Sequence, residues 1–215
     1  MTININHQLR EKMPHDPTNF PISLFCDELA LLPNKEGPLH WHPEFEIATA
    51  KCETLDIQVG QEHIILEAGD SIFINGNILH GAKQISDGTP DAMPNIVFSG
   101  TILAPETSVI YQKYINPIIY CDSLSYIVFR KTDEEHAMMH VLINDIYQAL
   151  QEQQHGYEMV VQRKLSLILE NIFFNLDHFP KLESTRIQIN TQIRIQKMLS
   201  YIYEHYSSYV LLSLE

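Results

Sequence analysis

The chain is poor in basic residues: 14 Lys and Arg stand against 27 Asp and Glu, a formal net charge of −13 over 215 residues. Phosphate contacts need clustered positive side chains, so this balance argues against nucleic-acid binding by the stretch itself. Cysteine is scarce too. Cys26, Cys52 and Cys121 are an odd number with no C-x-x-C pair, which speaks against a disulfide scaffold or a cysteine zinc site and for buried free thiols in a reducing compartment. No apolar run approaches the roughly 18 residues of a membrane span. The opening "MTININHQLREKMPHD" has no apolar segment behind a basic start, so no signal peptide is expected and the chain reads as cytoplasmic. Also missing are a Ser-His-Asp arrangement, a phosphate-binding glycine loop, a nucleotide fingerprint, internal repeats and low-complexity segments. With 45% hydrophobic residues, the chain can still bury a core.

What is present changes rhythm near the middle. From about Pro21 to Leu103, short β-prone runs alternate with turn residues, the pattern of an antiparallel barrel or sandwich. In "TLDIQVGQEHIIL", Leu55, Ile57 and Val59 alternate with polar residues, and Gly60-Gln61 offers a tight hairpin turn. "AGDSIFING" and "IVFSGTIL" read as further strands around the loop "DGTPDAMPN". After Pro105 the pattern is helical. Thr132 and Glu135 resemble a capping box, Met139, Leu142, Ile143, Ile146 and Leu150 form one apolar face, and Gly156 is a plausible stop. A second helix is expected from about Tyr157 to Leu176. On it Val161, Leu165, Ile168 and Ile172 make one apolar seam, and Val160, Leu167 and Phe174 line another face.

The chemistry concentrates in "PLHWHPEFEI". His40, His42 and Glu46 are evenly spaced, so on one strand they would share a face, although Pro43 suggests a bend before Glu46. Ala48 and Ala50 have the same parity and are small. His80, in "GDSIFINGNILHGAK", is a fourth candidate. Three imidazoles and a carboxylate would suit one divalent transition metal ion, Zn²⁺, Mn²⁺, Fe²⁺ or Ni²⁺, with positions left for water or substrate. A metal-free pocket in which the same residues hydrogen-bond an organic ligand stays open beside it. Trp41 and Phe45 fit packing better than sugar stacking. His136 and His140 are spaced i, i+4 but lack the glutamate of H-E-x-x-H, which suits a solvated pair.

At these residues the sequence resembles the cupin superfamily. "HWHPEFE" matches the ligand set of its first motif, and "GDSIFINGNILH" matches the spacing of its second, with Asn75 in place of the usual proline and Asn77 in place of the usual glycine. Glu53 replaces the glycine expected after the first motif, and Gln84 the closing asparagine of the second. The resemblance implies a double-stranded β-helix barrel for roughly Pro21 to Leu103. "RIQKMLSYIYEHYSSYVLLSLE" looks like the opening of the DNA-binding region of AraC-type transcription regulators, with Arg194, Ile195, Leu199, Ile202, Tyr206, Ser213 and Leu214 fitting.

Together the two resemblances imply an α+β chain with four parts: an arm at 1–20, a cupin ligand-binding barrel at 21–104, a helical dimerisation region at 105–180, and a linker with the truncated start of a helix-turn-helix domain at 181–215. The expected function is that of a sensor, not an enzyme. A small-molecule effector, a sugar or related metabolite among the candidates, would bind near His40, His42, Glu46 and His80. The helical region would pair two copies, and DNA would be met only through the missing C-terminal domain. The rival is a metal-dependent cupin enzyme, a dioxygenase or sugar isomerase, using the same four residues.

Overall fold

The computed structural model describes residues 5–6, 8–14, 20–52, 54–85, 93–121 and 123–176. The residues of "RIQKMLSYIYEHYSSYVLLSLE" that carry the AraC-type resemblance lie outside them, as does most of the "DGTPDAMPN" loop. Among the described residues no helix is long and apolar enough to cross a membrane.

Among the described residues, eight strands form two antiparallel sheets. They are β1 (Ile22–Asp27), β2 (Phe45–Thr49), β3 (Leu55–Val59), β4 (Glu62–Leu66), β5 (Ser71–Ile74), β6 (His80–Gln84), β7 (Met93–Phe98) and β8 (Tyr126–Phe129). One sheet has the order β1-β7-β2-β5-β8 and the other β4-β3-β6. The α+β barrel expected from the sequence is therefore present, and it is followed by helices. Its larger sheet draws a strand from Tyr126–Phe129, beyond the 21–104 stretch and inside the part read as helical. The strand read in "IVFSGTIL" also begins earlier, at Met93, and gives way to a 3₁₀ turn at Gly100–Ile102.

The two sheets differ in what covers them. On β3, buried and half-buried residues alternate, because its sheet has one face toward water. On β5 and β7 every residue is buried, since helices cover the other face of the larger sheet. That second layer is α2 (Ala137–Glu152) and α3 (Tyr157–Phe174), reached through a π-helical turn at Tyr111–Ile115 and the short α1 (Asn116–Ile119). Phe45, Ile47, Phe73, Ile96 and Phe98 point from the sheet into this layer, where they join Met139, Ile143, Leu165 and Ile168 in one core. Ala48, Ile57, Ile72, Ile74 and Met93 belong to a second core between the sheets. The two-residue period of a strand thus sends β2 into two different interiors.

Local signals resolve in part as expected. Gly60-Gln61 closes the β3–β4 hairpin, with Gly60 at a φ of 61°, a left-handed conformation that glycine adopts without strain. The buried face of α2 contains all five residues of the expected stripe, with Tyr147 added. Asp133, one residue after Thr132, caps the 3₁₀ turn Glu134–His136 that leads into α2, and the Asp133 side chain accepts from the Glu135 amide. Gly156 does not stop α2. Gln153 closes that helix in a left-handed conformation, and Gly156 starts α3. None of the three cysteines is in a disulfide, but Cys26 and Cys52 are exposed and Cys121 half-buried, so the expectation of buried thiols fails. Strand edges and turns carried them outward, which composition does not report.

Asp70 shows how the sheets are tied together. Its carboxylate accepts from the Lys131 amide at 2.8 Å, the Glu67 amide at 3.1 Å and the Arg130 guanidinium at 2.7 Å. Burial works against its charge, but these donors outweigh that cost and hold its pKa below the ordinary carboxylate range. A group with a depressed folded pKa stabilises the fold above its unfolded pKa and loses that contribution as pH falls through the folded one. Asp70→Asn should therefore cost roughly 2 kcal/mol at neutral pH. In urea titrations, the gap to the parent protein should shrink below about pH 4. A gap that stayed constant with pH would show that the charge contributes nothing.

Candidate metal and ligand site

His40, His42 and Glu46 do not lie on one strand. His40 pairs with His80 in an isolated antiparallel bridge, His42 lies just before the bend at Pro43 and Glu44, and Glu46 is the second residue of β2. The bend holds because a second loop is docked on it. The Asn77 amide donates to the His42 carbonyl at 2.7 Å, and a Cβ at Gly76 would meet the Pro43 carbonyl oxygen at 2.4 Å, so only glycine fits there. Asn77 takes the left-handed conformation that glycine usually supplies, with a φ of 65°. Asn75 is buried, and its side-chain amide donates to the carbonyls of Ile118 and Leu124 at 2.8 and 2.9 Å. A proline at that position could not hold the segment before β8.

All four expected site residues converge. Each contributes one nitrogen or oxygen to a group of atoms within 4.8 Å of one another. His42, Glu46 and His80 are buried, and the His40 side chain is 12% exposed. Ring Nδ1 lies 3.0 Å from the Pro38 carbonyl in His40, 3.1 Å from the Glu44 carbonyl in His42 and 2.8 Å from the Ile78 carbonyl in His80. A carbonyl oxygen only accepts, so each Nδ1 carries a proton and each Nε2 is the free ring nitrogen. Nε2 of His80 is 2.9 Å and Nε2 of His42 is 3.2 Å from the same oxygen, Glu46 Oε2.

Two neutral imidazoles cannot both aim lone pairs at a carboxylate oxygen. A cation at the centre, either a proton or a metal ion, would reconcile these contacts. As a proton site, it raises His80: burial opposes the charge, but the Glu46 carboxylate and its hydrogen bond outweigh burial. Glu46 is lowered in turn, with His80 and His42 overcoming its burial. Burial and the neighbouring His80 push His40 down to about 4, so it stays neutral at physiological pH. The donor set, three neutral imidazole nitrogens of fixed tautomer and one carboxylate, fits a divalent transition metal. His40, His42, Glu46 and His80 would hold it, and it would act there as a Lewis acid toward a ligand oxygen or nitrogen.

Three acidic or amide groups beside this cluster had no signal in the sequence. Glu11 reaches His40 Nε2 at 3.3 Å from the N-terminal arm. The arm is fixed on Trp41: the Glu11 amide donates to the Trp41 carbonyl at 2.9 Å, the indole donates to the Gln8 carbonyl at 3.0 Å, and the Arg10 guanidinium lies 5.4 Å from the ring centroid. Trp41 is thus packing, as expected. Burial and the charge of Glu46 raise Glu11 to about 7. Asp27 and Asn95 come from β1 and β7, joined by a 2.8 Å hydrogen bond from Asn95 to Asp27. Only strand pairing brings them together. His136 is not part of a metal pair: its Nδ1 accepts from the Arg130 amide at 3.0 Å and its ring packs edge-on against Phe129.

The cluster opens on a small cleft inside the barrel, with a cavity volume of about 50 Å³ and a mouth open to solvent. Asp27, Glu28, Asn95, His40, Glu46 and His80 supply its polar lining, and Leu29, Ile57, Ile74 and Met93 are among its apolar walls.

No protein-family model matches the chain. It is 26% identical over 209 residues to the uncharacterized HTH-type transcriptional regulator YdeC of Bacillus subtilis, an alignment covering 94% of this chain and 67% of that protein. Among solved structures, an RmlC-like cupin from Shewanella frigidimarina is 24% identical across 38% of this chain and 68% of that one, with a TM-score of 0.29. Apo ToxT from Vibrio cholerae covers 77% of this chain and 60% of its own at 6% identity, with a TM-score of 0.49. Over most of its length the chain is similar to an HTH-type transcriptional regulator, and its described residues form a barrel of two antiparallel sheets followed by helices.

Proposed function

We propose that the chain is the effector-sensing and pairing region of an AraC-type transcription regulator. The observation that carries this is the likeness to an HTH-type regulator across 94% of the chain, through barrel and helices alike. The cleft inside the barrel supports it, because a partly enclosed, mostly apolar pocket with a few convergent polar groups suits a small molecule. His40, Glu46 and His80 form the ligand end of that pocket, with His42 behind them 3.2 Å from Glu46 Oε2, with or without a metal ion between the four. DNA is met through a helix-turn-helix domain, not through the barrel.

The whole product of the gene is the right material for the test. DNA recovered with tagged protein from its own cells should be enriched for a repeated half-site. His80→Ala should change transcription beside that site while leaving the enrichment in place. Enrichment no greater than in an untagged control would refute the reading.

Pairing is assigned to α3. Its inner seam, Val161, Leu165, Ile168 and Ile172, is buried against the chain's own core. On the other face Leu167 is 43% and Phe174 68% exposed. The occupant proposed for that face is a second copy, since a self-complementary helix face gives the two-fold symmetry that repeated DNA half-sites reward. Light scattering across a dilution series should show a dimer, and Leu167→Glu should convert it to monomer without loss of helical signal. A strictly monomeric parent protein at high concentration would remove the proposal.

A further inference from the structure

One wall of the barrel cleft is not sheet. Between β1 and His40 the chain runs through two 3₁₀ turns, Leu29–Leu31 and Pro33–Lys35, and Glu28, Leu29, Leu32, Gly37 and Pro38 line the cleft from that side. Leu29 is buried in the same core as Ile57, Ile74 and Met93, with Leu32 packed against it. The cavity that remains, about 50 Å³, has room for a few water molecules. Pockets for small organic molecules run to roughly 300–1,000 Å³, so space for such a ligand has to come from a wall that moves. The strands around the cleft are held by ladders of cross-strand pairing. Residues 28–37 are held differently. The amides of Leu31, Leu32, Lys35 and Glu36 bond to carbonyls within the segment itself, and the Gly37 amide donates to the Ala82 carbonyl of β6 at 2.8 Å. Beside that bond the Glu36 carboxylate lies 3.5 Å from the Lys83 ammonium, both about half exposed. Asn34 and Lys35 are consecutive residues in the left-handed region, with φ of 57° and 56°. Two such residues in a row carry backbone strain, which the burial of Leu29 offsets.

We propose that residues 28–37 form a lid on the cleft, with Leu29 and Leu32 as its plug and the contact of Glu36 and Gly37 with β6 as its latch. Releasing the latch withdraws Leu29 from the space that a ligand's carbon skeleton would take, and lets Asn34 and Lys35 leave their strained conformation. Opening stays local, because the strain and the short latch weigh against little more than the burial of one leucine. The proposal rests on the reading of the cleft as an effector pocket and adds how that pocket is regulated. Effector binding and lid position are one equilibrium, in which the ligand binds the lifted form.

Hydrogen peroxide is the probe, used on the full 215-residue chain without effector, because it oxidises a methionine only where solvent reaches the sulfur. Met93 on the cleft wall and Met139 in the helical core are equally buried, 7% and 5% exposed, while Met138 and Met159 are exposed and set the unhindered rate. Peptide mass spectrometry should show Met93 oxidised at least about tenfold faster than Met139. Glu36 and Lys83 face each other in an isolated antiparallel bridge of the non-hydrogen-bonded kind. The Cα atoms of such a pair sit about 4.5 Å apart, within disulfide range. The disulfide of Glu36→Cys/Lys83→Cys should therefore lock the latch and slow Met93 at least about tenfold relative to Glu36→Ser/Lys83→Ser. Unchanged rates at Met138, Met139 and Met159 are the folding control. Leu29→Ala, which keeps the latch and removes the plug, should speed Met93 at least about threefold. Equal Met93 rates in the locked and unlocked variants would overturn the lid and leave the pocket reading intact. A lid that locks, in a regulator whose transcription His80→Ala leaves unchanged, would overturn the pocket reading instead.

Discussion

Chelator-stripped protein should take up one Zn²⁺ or Ni²⁺ per chain, and His80→Ala should weaken that uptake by at least about a hundredfold. Three ring nitrogens already face one point in a fixed tautomer, held by the carbonyls of Pro38, Glu44 and Ile78. Little reorganisation is needed to place an ion among atoms that already lie within 4.8 Å of one another. The ion competes with a proton. His80 has a raised pKa and Glu46 a lowered one, so the metal-free cluster keeps a proton that the ion must expel. Uptake should thus release about one proton per ion and weaken as pH falls, because the imidazoles must be neutral to bind. Calorimetry in buffers of different ionisation enthalpy reads both quantities. His42→Ala should behave as His80→Ala does, and Glu46→Gln should weaken uptake while leaving the barrel folded. Failure to take up either ion with the cluster intact would limit these residues to proton and ligand contacts.

The second large effect is on the fold. Phe45→Ala should lower the free energy of unfolding by about 3–5 kcal/mol, measured by guanidinium titration. Phe45 is 1% exposed, and its ring lies 5.5 Å from those of both Phe73 and Phe98 in the core shared by sheet and helices. Deleting the ring leaves a cavity where three strands meet the helical layer. Glu46 is the next residue and points the other way, into the barrel cleft. The same variant should therefore loosen metal uptake through β2 alone, since Phe45 touches no ligand atom. A loss of less than about 1 kcal/mol would mean that the core collapses around the gap.

How much of this was legible in the sequence depends on how local the signal was. The spacing of His40, His42, Glu46 and His80 named the whole cluster, because a metal-type donor set has a short and specific residue pattern. The apolar stripe of α2 was equally plain, since a 3.6-residue period repeated over four turns admits few other readings, whereas α3 showed two apolar faces and only packing decided which is buried. The hairpin at Gly60-Gln61 needed only its own two residues. By contrast, the cap at Asp133 and the stop at Gln153 were each missed by a few residues, because several neighbours could supply the same hydrogen bond.

The sequence by itself determined an antiparallel barrel followed by helices, the four convergent side chains, the buried face of α2 and the two apolar faces of α3. Tertiary structure alone decided the rest. It closed the larger sheet with Tyr126–Phe129, exposed Cys26 and Cys52, brought Glu11 to His40, and set Asn95 beside Asp27. The physical reason is separation along the chain. Periodicity and motif spacing are properties of neighbouring residues, written wherever one element forms. Asp27 and Asn95 are 68 residues apart, and Glu11 and His40 belong to different segments. Their meeting is fixed by strand pairing and by the docking of the arm on Trp41, which no short window of sequence contains.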